Sequence, residues 1–166
     1  MYNFNERNSM AARGAKQIEA WLSSLGVTAK VENVEDDKQY QDIDVDLIWY
    51  THRNPAGYKV EVKVDSYYRT GNFFFETFSN VERGTPGCFL YTEADLVFYY
   101  FPEVRRLFIL PMPATRNWFV EHRERFRVRD TRTGVGNDYY TTRGCLVPRR
   151  EVLAEVDDVY EYRLPK

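Results

Sequence analysis

Cysteine and histidine are scarce. The chain of 166 residues holds two cysteines, Cys88 and Cys145, and two histidines, His52 and His122. No Cys-x-x-Cys pair or His/Cys ligand spacing is present, which argues against a zinc module and a disulfide framework. The cysteines are therefore expected to fill small buried volumes. A glycine-rich phosphate loop and a Gly-x-Ser-x-Gly elbow are also missing, so the common signatures of nucleotide hydrolysis and serine-dependent acyl transfer are excluded. No apolar run approaches the roughly 20 residues that cross a bilayer. The first residues, MYNFNERNSM, lack the apolar segment of a signal peptide, and a soluble, cytoplasmic protein without membrane contact is expected. Internal repeats and low-complexity segments are lacking as well.

Apolar and aromatic residues are plentiful. Hydrophobic residues make up 43% and aromatic residues 16%, with 13 Tyr and 11 Phe, enough to exclude a disordered chain. The length fits one domain over residues 1–166 with a full core. The net charge of −2 says little, but its distribution is uneven. Residues 103–150 carry eleven basic side chains, all arginine, against five acidic ones, while the flanking segments are acidic. Arginine suits forked hydrogen bonding to phosphate, so a polyanion would touch this segment.

Residues 42–63 read as two strands and a turn. Val45, Leu47 and Trp49 alternate with Asp44, Asp46 and Ile48, and Val60, Val62 and Val64 alternate with Glu61, Lys63 and Asp65, the period-2 pattern of half-buried strands. Asn54-Pro55-Ala56-Gly57 supplies the turn. Glu61 and Lys63 must then project to one side, and pairing with the first strand could place Asp46 beside them.

An Asp on one strand and Glu-x-Lys on the next resembles the motif of the PD-(D/E)XK nuclease superfamily, matched here by Asp46 and Glu61-Val62-Lys63. Val45 stands where the motif's proline would be. The resemblance implies an α/β fold with a restriction-endonuclease-like core, a mixed central sheet flanked by helices. It also implies a Mg²⁺-dependent deoxyribonuclease, with Mn²⁺ as a substitute ion. Asp46, Glu61 and the Val62 backbone carbonyl would hold the metal. Lys63 would act on the attacking water or the scissile phosphate, and Asp46, Glu61 and Lys63 would form the catalytic set. Asp44 competes with Asp46 as ligand, and a helical glutamate, Glu19 with Glu6 behind it, is a further candidate. In size the chain resembles junction resolvases, which act on DNA as homodimers. The non-enzymatic alternative is an inactive nuclease fold that binds nucleic acid or a protein.

The remaining chain supplies scaffold and candidate contacts. Residues 9–25 predict a helix capped by Ser9 and stopped at Gly26, and residues 28–34 an extended segment. Residues 73–78 predict a third strand of the same sheet, with Glu76 as a metal ligand or the orienting partner of Lys63. Residues 88–91, 96–101 and 107–110 read as strands, and residues 115–125 as a helix capped by Thr115. In RFRVRDTRT, Arg125, Arg127 and Arg129 alternate with Phe126 and Val128 and predict one arginine face for phosphates. Gln41 and Tyr67 are further candidate contacts to nucleic acid. Residues 145–156 predict a strand leading into a helix with Pro148 in its first turn.

Overall fold

A computed structural model describes residues 4–135 and 138–166. In chain order the elements are α1 (Phe4–Ser24), β1 (Thr28–Asn33), α2 (Lys38–Gln41), β2 (Leu47–Thr51), β3 (Tyr58–Val64), β4 (Asn72–Asn80) and β5 (Thr85–Pro86). There follow α3 (Cys88–Tyr91), β6 (Leu96–Phe101), β7 (Arg106–Pro111), α4 (Ala114–His122), β8 (Arg127–Val135), β9 (Asp138–Pro148), α5 (Arg149–Glu155) and β10 (Tyr160–Arg163). Six strands form a mixed central sheet in the order β1-β2-β3-β6-β7-β10, and four form a second sheet in the order β5-β4-β9-β8. The β3/β6 pair is parallel, with Val60 beside Leu96 and Val64 beside Tyr100. The fold is thus mixed α/β with a mixed central sheet and flanking helices. Among the described residues no helix is long and apolar enough to cross a membrane.

Nearly continuous apolar runs in β6 and β7 explain the layering, because a strand with apolar side chains on both faces must be covered on both. Phe98, Tyr100, Leu107 and Ile109 face α1, where Ile18 and Leu22 are fully buried. Val97, Tyr99, Phe101, Phe108 and Leu110 face the second sheet and α4. Each fully buried side chain of this kind stabilises the fold by roughly 1.5–3 kcal/mol before its entropy cost is counted. Strand β3 divides the same way. Val60 and Val62 pack with the α1 layer, and Gly14 of α1 lies against Val64, so Glu61 and Lys63 turn toward the second sheet.

Several elements depart from the sequence reading. Helix α1 begins upstream of residue 9, so Ser9 lies within it and is no cap. Residues 73–78 are not in the central sheet. Chain reversal through a 3₁₀ turn at Tyr68–Thr70, closed by Gly71 at φ 76°, sends β4 to pair with β9. Phe73 and Phe75 then stack on the central sheet, Phe73 with its ring centroid 4.8 Å from Tyr99 and 5.1 Å from Phe108. Residues 88–91 form one helical turn instead of a strand, since a short apolar run carries no periodicity that separates the two. Thr115 is buried in α4 and donates its hydroxyl to the Pro111 carbonyl at 2.7 Å, so it does not cap the helix.

The approach of α3 to β4 depends on Gly87. A Cβ there would lie 2.4 Å from the backbone carbonyl carbon and oxygen of Glu76, and the Gly87 N–H donates to the Thr77 carbonyl at 3.0 Å. Gly87→Ala is expected to cost about 1–3 kcal/mol as the backbones separate. Gly26→Ala, which meets nothing within 4 Å, is the control. Urea denaturation of both variants measures the difference, and equal midpoints would show that the contact carries no strain.

Candidate metal centre

Three carboxyl groups meet where β2 begins beside β3. Asp46 precedes β2 and donates its N–H to the Val60 carbonyl at 2.9 Å. Because Leu47 pairs with Val60, antiparallel register puts Asp46 opposite Glu61 on the same face. Its Oδ2 accepts the Val62 N–H at 2.7 Å, and its carboxyl group lies close enough to that of Glu61 for each to shift the other's pKa. Glu61 is only 7% exposed, and its Oε2 has no hydrogen-bond partner.

Asp44 reaches the same place by another route. It is not on the strand, as its alternation with Val45 predicts, but in a turn with φ 56°, the left-handed conformation that aspartate tolerates better than most residues. The Thr92 hydroxyl fixes this turn by donating to the Asp44 carbonyl at 2.7 Å. Asp44 Oδ2 also lacks a partner. One ligand atom each from Asp44, Glu61 and Cys88 lies within 4.8 Å of the others. Cys88, expected to fill a small buried volume, thus places its thiol beside two carboxyl groups.

Lys63 forms an ion pair with Glu76 of β4, so Glu76 is the orienting partner of that lysine. Two β-sheets are joined at the site by this pair. Next along the chain, Asp65 accepts the Tyr99 hydroxyl, while Tyr99 accepts the Phe74 N–H at 3.0 Å.

Crowding sets the protonation of the cluster. Burial, aided by Asp46, pushes the Asp44 carboxyl up to about 6. Burial also raises Asp46, opposed by the Val62 N–H. Glu61 is raised well above the usual carboxylate range by burial and then by the neighbouring Asp46 and Asp44. Burial works against the charge of Lys63, but Glu76 first, with Cys88 and Glu61, raises its pKa overall and keeps the ammonium form. Of the three carboxyls Glu61 is the most strongly biased toward its protonated form, because burial and two neighbouring carboxyl groups act on it together.

Glu61 brings the cluster to the edge of a cleft of about 1300 Å³ between the two sheets, which Asp44, Asp46 and Cys88 do not themselves line. Glu61, Lys63, Asp65 and Glu76 line its base, with Tyr67 and Asn72 on one side. Arg83, Arg129, Arg132, Tyr139 and Tyr140 lie along the others, and Arg132 sits 4.8 Å over the Tyr139 ring.

The remaining expected contacts divide. Arg129 and Tyr67 line the cleft, as does Val62, whose N–H is committed to Asp46. Arg127 is exposed on β8 but does not line the cleft. Arg125 is not on the strand at all. It ends the 3₁₀ turn Arg123–Arg125 and is paired with Glu155 at 2.8 Å, so the expected three-arginine face breaks at its first member. Gln41 lies in α2 and donates to the Glu35 carbonyl at 2.9 Å. Glu19 lies on α1, which covers the valine face of β3, and is absent from the ligand cluster. The Glu6 side chain falls outside the described residues.

Two contributors escaped sequence reasoning. Arg132 has the opposite parity to Arg127 and Arg129 along β8, and Cys88 sits in an apolar run where no ligand spacing marks it. Gly84-Thr85-Pro86-Gly87 just before Cys88 was the available signal, because such a break fixes the head of the next element. No family model, curated protein or solved structure matches the chain.

The raised carboxyls have a consequence for stability. With pKa values higher folded than unfolded, the folded protein binds more protons between these values. The stabilisation is full below the ordinary carboxylate range and is lost as pH rises through about 6 for Asp44. Metal-free protein is thus expected to lose stability in urea from about pH 4 to pH 6, with a shallower slope in Asp44→Asn. Stability that rises over this window would show ionised, paired carboxylates instead.

Proposed function

We propose that the protein is a metal-dependent DNA endonuclease of the PD-(D/E)XK type with a restriction-endonuclease-like core. One observation carries this reading. A buried Glu61 with an unpartnered oxygen faces Asp44 and Asp46 at the edge of a large cleft, beside a lysine held by a glutamate from the other sheet. Burying carboxylates without a cation is costly, so the donor set fits a divalent ion. The mixed sheet supports the family reading too, with Asp46 at the head of β2 and Glu61-Val62-Lys63 on its neighbour.

A divalent cation, when bound, neutralises phosphoryl charge and lowers the pKa of water. Asp44 and Glu61 would hold it. Asp46, fastened to the Val62 N–H, orients Glu61 and competes with Asp44 for the ion. Lys63 presents an ammonium group to the reacting phosphate or water, stabilising the negative charge that develops there, while Glu76 fixes its position. Arg129, Arg132 and Arg83 supply phosphate contacts along the cleft, which position a strand without reading its sequence.

The test is a panel of duplex, single-stranded, flap and four-way-junction DNA with Mg²⁺, Mn²⁺, Zn²⁺ or EDTA. Cutting is expected only with the ions, and Lys63→Ala should lower the rate by about 100-fold or more when assayed below its unfolding temperature, which loss of the Glu76 pair should itself reduce. DNA that binds equally well in EDTA and is never cut would identify a binding module instead.

The cleft arginines give a separate expectation. Arg129→Ala and Arg132→Ala should each weaken DNA binding and reduce its salt slope by about 1, measured by fluorescence anisotropy across a salt series. Arg125→Ala, with its side chain paired to Glu155, should leave the slope unchanged.

A further inference from the structure

We infer that Cys88 Sγ is the third protein ligand of the metal centre, which makes it a mixed oxygen and sulfur site for a thiophilic divalent ion such as Zn²⁺. The inference rests on the reading of Asp44 and Glu61 as metal ligands, but not on nuclease activity. A site for Mg²⁺ is built from oxygen alone, and that ion keeps much of its water. Thiolate beside carboxylate selects borderline and softer transition ions.

Four observations converge. The ligand atoms of Asp44, Glu61 and Cys88 lie within 4.8 Å of one another, and donors around a tetrahedral zinc ion are about 3–4 Å apart, so a small closure completes the shell. Glu61 is more than nine-tenths buried, and both its Oε2 and Asp44 Oδ2 lack partners. A cavity of about 10 Å³ is lined by Glu61, Cys88, Lys63 and Glu76 together with apolar neighbours such as Phe89 and Val97, and this is about the space of one water or ion. Charge balance agrees, because Glu76 already answers the Lys63 ammonium, leaving the remaining carboxyls without a cation.

The backbone holds the thiol in place. Buried Thr92 donates its N–H to the Cys88 carbonyl at 2.9 Å and its hydroxyl to the Asp44 carbonyl at 2.7 Å, so one residue ties both ligands together. Gly87 lets the head of α3 press against the Glu76 backbone. Across the helical turn, Phe89 stacks on Phe75 with 3.8 Å between ring centroids. Binding requires the thiolate, and the Sγ proton leaves to solvent.

Cobalt(II) is the probe, titrated into the full metal-free chain under reducing conditions. A near-ultraviolet sulfur-to-cobalt charge-transfer band is expected, retained in Cys145→Ala and lost in Cys88→Ser. Calorimetry should show Cd²⁺ affinity falling by about 10–100-fold or more in Cys88→Ser, with Mn²⁺ affinity much less affected. X-ray absorption of the zinc-loaded wild-type protein reads sulfur ligation without any substitution, with one sulfur at about 2.3 Å expected. Cobalt bound without the band, or zinc without the sulfur, overturns Cys88 as a ligand and leaves the nuclease reading standing. Failure to bind Co²⁺, Zn²⁺ or Mn²⁺ overturns both.

Discussion

The alternation of side chains along β3 is the constraint on which the site depends. Val60, Val62 and Val64 belong to the layer under α1, so Glu61 and Lys63 have only the space between the sheets to enter. That space is otherwise filled with rings, among them Phe73, Phe75, Tyr99 and Phe89. Charged groups placed there lose water and must satisfy each other. Lys63 does so with Glu76, and Asp46 with the Val62 N–H. Glu61 and Asp44 each keep an oxygen with no such answer. A satisfied polar network stiffens a fold, whereas this one leaves a deficit at a single point, where a cation would relieve it.

The second sheet sets the walls of a cleft beside this cluster. β4 supplies Glu76 to the ion pair and Phe73 and Phe75 to the core. The β8–β9 ribbon carries Arg129, Arg132 and Tyr139 along the cleft. One strand therefore joins the charged centre to the surface that would hold a phosphate backbone. Its pairing with β9 sets the register of both, from Phe73 opposite Val147 to Glu76 opposite Gly144.

Much of the centre was legible because strand periodicity is local. Glu61 and Lys63 fall on one face by parity alone, pairing of the neighbouring strand brings Asp46 to them, and the apolar runs of β6 and β7 read as strands. What escaped was non-local. Nothing near residues 73–78 says which sheet they join, since that is decided by pairing with β9 some seventy residues later. Arg125 misled because alternation cannot show where a 3₁₀ turn ends and a strand begins. Asp44 reached its place through a left-handed turn and not by strand parity. Cys88 approaches Glu61 because one glycine lets two backbones touch, and no ligand-spacing pattern encodes that.

Gly87 gives the site an uneven tolerance to change. The surrounding core is a broad mosaic of rings, and such a mosaic absorbs altered volume by many small shifts. Here, by contrast, backbone lies on backbone, with no side chain between to yield. A single methyl group at this point would lever the thiol end of α3 away from the carboxyls while leaving most of the molecule in place. The architecture is forgiving across its bulk and brittle at one hinge pin, and that pin lies next to the candidate metal centre.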